Sequence, residues 1–547
     1  MASDIGSAAP AVSQGGLFTR AATGLVRGVP PRSSLIINFI PGHPTQTMVA
    51  VLLFALAVGP GGNPFLALAL VVPMSLAFAY SFGLLTQMIP RSGGDYMLVS
   101  RVIHPAVGWI SVFCMTMAGL LSNAFFGLAV VTAGLTPLCV SVGLIADWPG
   151  LVSWGQHAGA SKGWLIFFGL VNFAFAGIIQ LWGWRWILRL QNIFFWMVTT
   201  SLGVVTLITL FQSKHHFVSK FNGFAEGITH KSDAYASTIS TAAKAGVAVH
   251  PAFSFGSTIP IVAVFATTAI FSYWSSFVGG ELRQASTIRT ANNMALGGVV
   301  PLILVAICTA IFFKTFGSDF LRAANGGGLP AEINTPGTTF FYLSGISVGS
   351  AAYTLIIFAL YIVFWPLITY ISTLQQTRAI FAMSFDGVLP KQVTRVNRYG
   401  CPWLALLIAL LMSAAVFIWS VFDQTGFFIV LAYALLVQLI AMGLVGLTGV
   451  LAPILRPELY RASTSQKSLA GIPLVQIAGA VAILTAAFVW WAYLHYDQLG
   501  ANANLGKLFA WTIGPAVAGF ILYFAVAAVK RSRGTDVTLV YKEIPPE

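Results

Sequence analysis

The feature that most constrains this 547-residue chain is a succession of twelve runs of about 20 mostly apolar residues. A run of that length crosses the hydrocarbon core of a bilayer as a helix, because in lipid only helices and closed barrels pair every backbone polar group. The short alternating segments of a barrel are absent. The runs lie at 35–58, 64–89, 104–136, 164–183, 187–211, 258–281, 294–314, 346–374, 402–422, 426–453, 472–494 and 508–529.

The composition excludes the soluble function classes. Charged residues make up 8% of the chain, whereas soluble globular proteins carry roughly 25%. A soluble enzyme, a disordered protein and a nucleic-acid-binding domain are therefore excluded, and the expected partner is the lipid bilayer, with no nucleic acid. The four cysteines form no CxxC pair or Cys/His cluster and are interpreted as packing residues. No cleavable signal peptide is expected.

The basic residues predict the orientation. With the N-terminus placed inside, 20 of the 28 Lys and Arg residues fall in the inner segments, as the positive-inside rule requires. Both termini are therefore expected in the cytoplasm of a multi-pass protein of the plasma membrane. The three long loops, 137–163, 212–257 and 315–345, all fall outside.

The loop layout predicts an all-α integral membrane fold with two inverted five-helix repeats and two further C-terminal helices. Five spans precede the longest outer loop, so a repeated second half must enter the membrane from the opposite side. The predicted domains are a cytoplasmic tail at 1–33, spans 1–5 at 34–211, an extracellular loop at 212–257, spans 6–10 at 258–453, spans 11–12 at 454–529 and a cytoplasmic tail at 530–547.

Span 1 carries the strongest breaking signal, Pro41-Gly42-His43-Pro44. Each proline lacks an N–H and clashes with the preceding turn, which favours a true break over a kink. The second half-helix should begin near Pro44 and leave the N–H groups of Thr45, Gln46 and Thr47 unpaired. Those amides and the helix dipole would favour an anion.

Span 6 is less clearly marked, because Ile261–Val278 contains no glycine or proline. A polar and aromatic stretch from Thr267 to Trp274 lies near its middle. It either lines a cavity, or its hydroxyls bond back to carbonyls while its aromatic rings pack.

Two ionisable residues have two interpretations each. His43 lies deep in a span, where an ionisable residue is costly to bury and usually indicates a functional role. It either binds a substrate carboxylate or relays a proton, or it is a neutral imidazole held by freed carbonyls. Glu281, two residues before Arg283, is interpreted as half of a structural or gating ion pair, with a proton-carrying role as the alternative.

Three segments resemble permeases of the amino acid–polyamine–organocation (APC) superfamily. Ile89-Pro-Arg-Ser-Gly-Gly-Asp-Tyr96, with Ser100-Arg101 and His104–Gly108, is similar to the family's inner loop between spans 2 and 3. Thr377–Lys391, followed by Asn397, Gly400 and Pro402, resembles its segment after span 8. Gly279-Gly280-Glu281 with Arg283 resembles its exit from span 6.

The resemblance implies a secondary transporter whose substrate, an amino acid or amine, lies at the broken spans 1 and 6. By position, it assigns a substrate-binding role to Pro41, Gly42, His43, Pro44, Thr45, Gln46, Thr267, Thr268, Phe271, Ser272, Tyr273 and Trp274. The inner-loop charges expected to form gating ion pairs are Glu281, Arg283, Arg91, Asp95, Arg101, Arg378 and Asp386. The family's span 1 loop is usually small and glycine-rich, and Pro-Gly-His-Pro departs from it.

The sequence therefore predicts a permease that moves amino acids or related amines by alternating access. The alternatives are a permease-like sensor, a passive channel on the same scaffold, or a carrier of another solute. An enzyme is not expected, since the spans lack HExxH, GxSxG and paired carboxylates. No cofactor or metal is expected, and coupling to H+ or Na+, symport or exchange, and oligomeric state are left open.

Overall fold

The computed structural model describes residues 24–25, 27–334, 339–464, 466–534 and 541. The predicted tails at 1–33 and 530–547 fall largely outside these residues. Within them the helices are joined by turns and short connections, and the one sheet is a short hairpin, β1 (Ser468–Leu469) with β2 (Ile472–Pro473).

The described residues of the first half of the chain and of the long segment 212–257 contain twelve α-helices. They are α1 (Pro31–Phe39), α2 (Pro44–Gln46), α3 (Leu52–Val58), α4 (Pro64–Met88), α5 (Gly94–Val102), α6 (Pro105–Ala129), α7 (Thr136–Ile145), α8 (Pro149–Ala160), α9 (Lys162–Leu181), α10 (Trp184–Phe211), α11 (Lys214–Thr229) and α12 (Ala234–Lys244).

In the part of the chain that the structure describes, the second half and the C-terminal part contain eleven further α-helices. Their helices are α13 (Phe255–Ala269), α14 (Ile288–Phe316), α15 (Ser318–Asn325), α16 (Thr339–Val348), α17 (Ala351–Ile362), α18 (Phe364–Phe385), α19 (Trp403–Phe422), α20 (Gln424–Leu455), α21 (Pro457–Ala462), α22 (Leu474–His495) and α23 (Leu505–Ser532).

Eleven of the described helices are long and apolar enough to cross a membrane, and a twelfth span is obtained if the bent pair Pro31–Val49 and Leu52–Val58 is one span. The prediction of an all-helical, multi-pass membrane protein is confirmed at this level. The count of twelve and the inverted repeat stay predictions. Side chains such as Phe167, Trp196 and Leu411 leave more than half of their surface outside the bundle, where lipid would cover them.

Polar residues at the helix starts explain where several spans begin. Asn63 accepts hydrogen bonds from the N–H groups of Phe65 and Leu66 ahead of α4, and His104 accepts one from Ala106 ahead of α6. Each of these helices has a proline at its first position, where the missing N–H costs nothing. The three long segments predicted to lie outside are not irregular loops, because they contain short helices, including α8, α11, α12 and α15.

Glycines face each other where α20 packs against α22. A Cβ on Gly446 would lie 2.9 Å from the carbonyl oxygen of Gly479, and a Cβ on Gly479 would lie 2.3 Å from that of Gly446. These glycines form a packing face, because small residues let helix backbones approach in a membrane.

Candidate functional site: two broken helices around a central cavity

Span 1 is interrupted where the sequence predicts it. α1 ends at Phe39, a 3-10 turn covers Ile40–Gly42, and His43 leaves helical geometry with ψ of 130° before α2 begins at Pro44. A second feature follows without any glycine or proline to mark it. The backbone forms a π-turn over Thr47–Val51, and the axis bends by 61° before α3.

The amides after this break are not unpaired, which corrects the expectation from the sequence. The N–H of Thr45 donates to His43 Nδ1 at 3.2 Å. The N–H groups of Gln46 and Thr47 donate to the carbonyl oxygen of His43 at 2.9 and 3.4 Å. His43 thus caps the second half-helix with both its ring and its backbone, and these three donors are not left for an anion.

The bonds of His43 assign a neutral imidazole. Because Nδ1 accepts from a backbone N–H, the proton is on Nε2, which lies 3.1 Å from Thr199 Oγ1. Thr199 donates its own proton to the carbonyl of Phe195 at 2.7 Å, so its oxygen is free to accept from the ring. Three phenylalanine rings, of Phe39, Phe195 and Phe364, surround the imidazole with centroids 5.5 to 6.0 Å away.

Span 6 is interrupted more completely than its sequence indicates. α13 ends at Ala269, and the following residues turn without helical bonding before a short 3-10 turn at Trp274–Phe277. Ser75 Oγ donates to the carbonyl of Ala269 at 2.7 Å, so one carbonyl freed by the break has a partner. The hydroxyl of Ser272 and the indole N–H of Trp274 are buried and make no hydrogen bond among the described residues.

Side-chain bonds join the two breaks on both sides. Before the break in span 1, Asn38 Nδ2 donates to Ser275 Oγ at 2.9 Å, and the N–H of Ser275 donates back to Asn38 Oδ1 at 2.8 Å. After that break, Thr47 Oγ1 donates to Thr268 Oγ1 at 3.1 Å. Between these bonds the two backbones lie close together, because a Cβ on Gly42 would lie 3.2 Å from the carbonyl oxygen of Thr268.

A cavity of about 270 Å³ lies beside the two breaks, far larger than the roughly 10–15 Å³ that one water needs. The residues expected to bind substrate divide into two groups. Those that line the cavity are Pro41, Gln46, Thr267, Thr268, Phe271 and Trp274. Those that do not are Gly42, His43, Pro44, Thr45, Ser272 and Tyr273.

Most of the wall comes from helices that the sequence did not single out. The additional lining residues are Val51, Gly119, Ser122, Phe125, Phe126, Ile368, Ser372, Gln375, Leu431, Ala432, Ala434, Leu435, Gln438 and Tyr493. One of these residues, Gln438, is an amide within span 10. It donates to the Tyr273 hydroxyl at 2.9 Å and to Met115 Sδ at 3.6 Å.

The side of the bundle that holds the basic loops is closed by two buried ion pairs. Arg378 donates to both oxygens of Glu281 at 2.7 and 2.8 Å, and Trp184 Nε1 donates to Glu281 Oε2 at 2.6 Å. The partner differs from the one expected, because Arg283 is exposed and its Nε donates to the carbonyl of Arg27. A bidentate guanidinium with correct geometry offsets the desolvation cost of a buried carboxylate better than a flexible surface contact does.

The second pair joins Arg101 to Asp386 at 2.7 and 2.9 Å. The hydroxyl of Tyr96 donates to Asp386 at 2.7 Å, and the ring of Tyr541 lies 4.8 Å from the Arg101 guanidinium. Arg91, expected among the gating charges, donates to the neighbouring carbonyl of Pro90 at 3.0 Å.

Asp95 is not part of an ion pair among the described residues, contrary to the expectation. It is fully buried, and its Oδ2 accepts from Ser111 Oγ at 2.6 Å. Burial raises the pKa of Asp95 to about 7.

The part of the chain that the structure describes contains no group of three or more His, Cys, Asp or Glu side chains placed to hold a metal ion. The lining residues of the cavity are all uncharged.

Comparison with known proteins supplies one firm conclusion. No family model and no curated protein matches the sequence. In structure, 191 solved chains are similar, among them MhsT in complex with L-phenylalanine. The TM-score is 0.56 over 86% of this chain and 99% of the MhsT chain, with 13% identity. The chain has the fold of MhsT. Membership of the APC superfamily stays a prediction.

Proposed function

We propose that this protein is a secondary transporter that carries zwitterionic amino acids with apolar side chains across the plasma membrane by alternating access. The solute would occupy the central cavity between the broken spans 1 and 6. The observation that carries the proposal is a cavity of about 270 Å³ beside two helix breaks, in the fold of a protein crystallised with L-phenylalanine.

The wall of the cavity selects the charge of the solute. It holds no acidic or basic side chain, and its polar atoms are hydroxyls and amides such as those of Gln46, Ser122 and Gln375. A net cation such as a polyamine would lose its hydration without gaining a counter-ion. A zwitterion carries both charges, and dipoles at broken helices can face each of them. Amino acids therefore fit better than amines.

The wall also selects the side chain of the solute. Aromatic and aliphatic residues dominate it, including Phe125, Phe126, Phe271 and Leu435. Removing apolar surface from water contributes about 25 cal/mol per Å². A solute with a large apolar side chain would gain from this contact, whereas a polar one would leave its groups without partners.

The buried ion pairs suit alternating access. Arg378–Glu281 and Arg101–Asp386 have side chains no more than 3% exposed, so this conformation is closed on the side of the basic loops. Opening that side would separate both pairs and hydrate them. The proposal includes cytoplasmic termini, twelve spans and two inverted repeats.

A transport assay on the purified protein in proteoliposomes tests the proposal. L-phenylalanine or L-leucine should accumulate or exchange, and putrescine should not. Gly42→Leu should abolish the flux, because its side chain would enter the 3.2 Å gap to the Thr268 carbonyl. Gly203→Leu is the matched control, since a Cβ there meets nothing within 4 Å. Absence of flux for every amino acid, or wild-type flux in Gly42→Leu, would contradict the proposal.

A further inference from the structure

Three carboxylates are buried near the inner loops, and one of them differs from the others. Glu281 and Asp386 each bond to a guanidinium. Asp95 is equally buried, yet it bonds to the hydroxyl of Ser111 instead of a guanidinium, and its Oδ1 has no hydrogen-bond partner in the described part of the chain. The mechanism proposed above gives Asp95 no role.

An isolated carboxylate in an apolar site takes up a proton, because burying the bare charge costs more than binding the proton. Desolvation is the largest influence on Asp95 and raises its pKa to about 7, although the Ser111 hydroxyl and backbone N–H groups oppose the shift. The position of Asp95 in the first turn of α5 also favours the anion. Desolvation outweighs all of these.

Among the described residues, the elements packed around Asp95 offer no counter-ion. α6 contributes the Cys114 thiol and span 6 the Tyr273 phenol, both of which interact with it electrostatically. On α18, Arg378 bonds to Glu281 and Asp386 to Arg101. α20 carries no acidic or basic side chain, and its Tyr433 is the only titratable group there.

Asp95 is also connected to the wall of the central cavity. Its partner Ser111 lies one helical turn before Met115 on α6. The sulfur of Met115 accepts from the side chain of Gln438, which lines the cavity, and from the hydroxyl of Tyr273 at the span 6 break. A solute that moves Gln438 or the break would therefore move the packing over Asp95.

We propose that Asp95 is a proton-binding site that holds a proton while the side of the basic loops is closed and releases it when that side opens. In the closed state the carboxyl is neutral and buried. Opening brings water to it, the O–H bond breaks, and the proton passes to the cytoplasmic solvent, leaving the carboxylate. Closing requires one proton to return. The inference rests on the proposed function for its gate, and it names the proton as the coupling ion.

The first test needs no solute. Because the native pKa of Asp95 lies above the unfolded value, its proton stabilises the fold fully at low pH, and this contribution is lost as the pH rises through about 7. The melting temperature of the purified wild-type protein should therefore fall between about pH 5 and pH 8 relative to that of Asp95→Asn, a permanently neutral isostere. Parallel curves would overturn the proposal.

Two further variants support this measurement. Asp423→Asn makes the same chemical change at an exposed helix cap, and it should keep the wild-type pH dependence. Ser111→Ala removes a hydrogen bond that favours the anion, so it should move the midpoint upward by roughly one to two pH units. An unmoved midpoint in Ser111→Ala would overturn the proposal even if Asp95→Asn fails to fold.

The second test uses L-phenylalanine. In lightly buffered detergent solution with a pH indicator, adding it should change the number of bound protons by up to one per wild-type molecule and by none in Asp95→Asn. Proton exchange that persists in Asp95→Asn would overturn the proposal. If L-phenylalanine and the other apolar amino acids do not bind at all, the proposed function fails, and the melting curves still decide whether Asp95 titrates.

Discussion

The two helix breaks differ in how their backbone is satisfied. At the break in span 1, the freed backbone donors bond within the same segment, because His43 accepts hydrogen bonds from the N–H groups of Thr45, Gln46 and Thr47. The break in span 6 is held by partners from elsewhere in the chain, among them Ser75 at the carbonyl of Ala269 and Asn38 at Ser275.

Their polar groups differ as well. Both nitrogens of the His43 imidazole take part in hydrogen bonds, and the residue does not line the cavity. Trp274, in span 6, lines the cavity and has an unpaired indole N–H. A break with a strong sequence signal is thus one that the protein has closed locally, whereas the less marked break leaves the indole N–H of a cavity-lining residue, Trp274, without a hydrogen-bond partner among the described residues.

The largest expected effect concerns the buried Arg378–Glu281 ion pair, which lies just after the span 6 break. Arg378→Met leaves Glu281 buried without its guanidinium, which should cost about 3–5 kcal/mol of stability. The measurement is the melting temperature of the detergent-purified protein. Glu281→Gln added to Arg378→Met should recover part of the loss, since it removes the uncompensated charge.

Arg283→Ala is the control for this change, because Arg283 is the exposed arginine that the sequence placed beside Glu281. It should shift stability by less than about 0.5 kcal/mol. An Arg283→Ala variant as unstable as Arg378→Met would show that the span 6 break is not anchored by the buried pair.

The next effect concerns the binding of the solute. Trp274→Phe keeps the ring but removes the unpaired N–H, so affinity for L-phenylalanine should fall by about 5–30-fold, which corresponds to about 1–2 kcal/mol. Thermal stability should hardly change. Isothermal titration on the purified protein measures both affinity and stoichiometry.

Trp365→Phe is a matched control, since its indole N–H is also buried and unpaired but does not line the cavity. Equal losses of affinity in the two variants would remove the distinction between a donor that faces the solute and one that is merely buried.

The contrast between the breaks also explains what the sequence could predict. Local signals sufficed for the spans and for the first break, because apolar length and the prolines at 41 and 44 act on their own neighbourhood. The second break depends on Asn38 and Ser75, which lie far away in sequence. The same holds for Glu281, whose partner is 97 residues away and not two.

The candidate site was only partly predictable for a related reason. Residues of span 1 were chosen by their closeness to the prolines, yet a cap such as His43 is directed back into its own helix. The wall of the cavity comes mainly from spans 3, 8 and 10, where Phe125, Ile368 and Leu435 are ordinary apolar residues in the sequence. Only the packing of the helices turns one face of each toward the cavity.

The smallest expected effect concerns His43 itself. If the imidazole is a neutral cap, His43→Ala should cost about 1 kcal/mol of stability, the usual value of an N-cap, and His43→Asn should restore much of it, because asparagine caps helices well. Affinity for L-phenylalanine should change by less than about twofold, with an unaltered pH profile, since a ring that accepts from Thr45 N–H carries no charge to offer a carboxylate. A drop in affinity beyond about tenfold in His43→Ala, which is about 1.4 kcal/mol, with an unchanged melting temperature would mean that the ring contacts the solute. The first break would then resemble the second, with a donor held for the solute instead of a sealed turn.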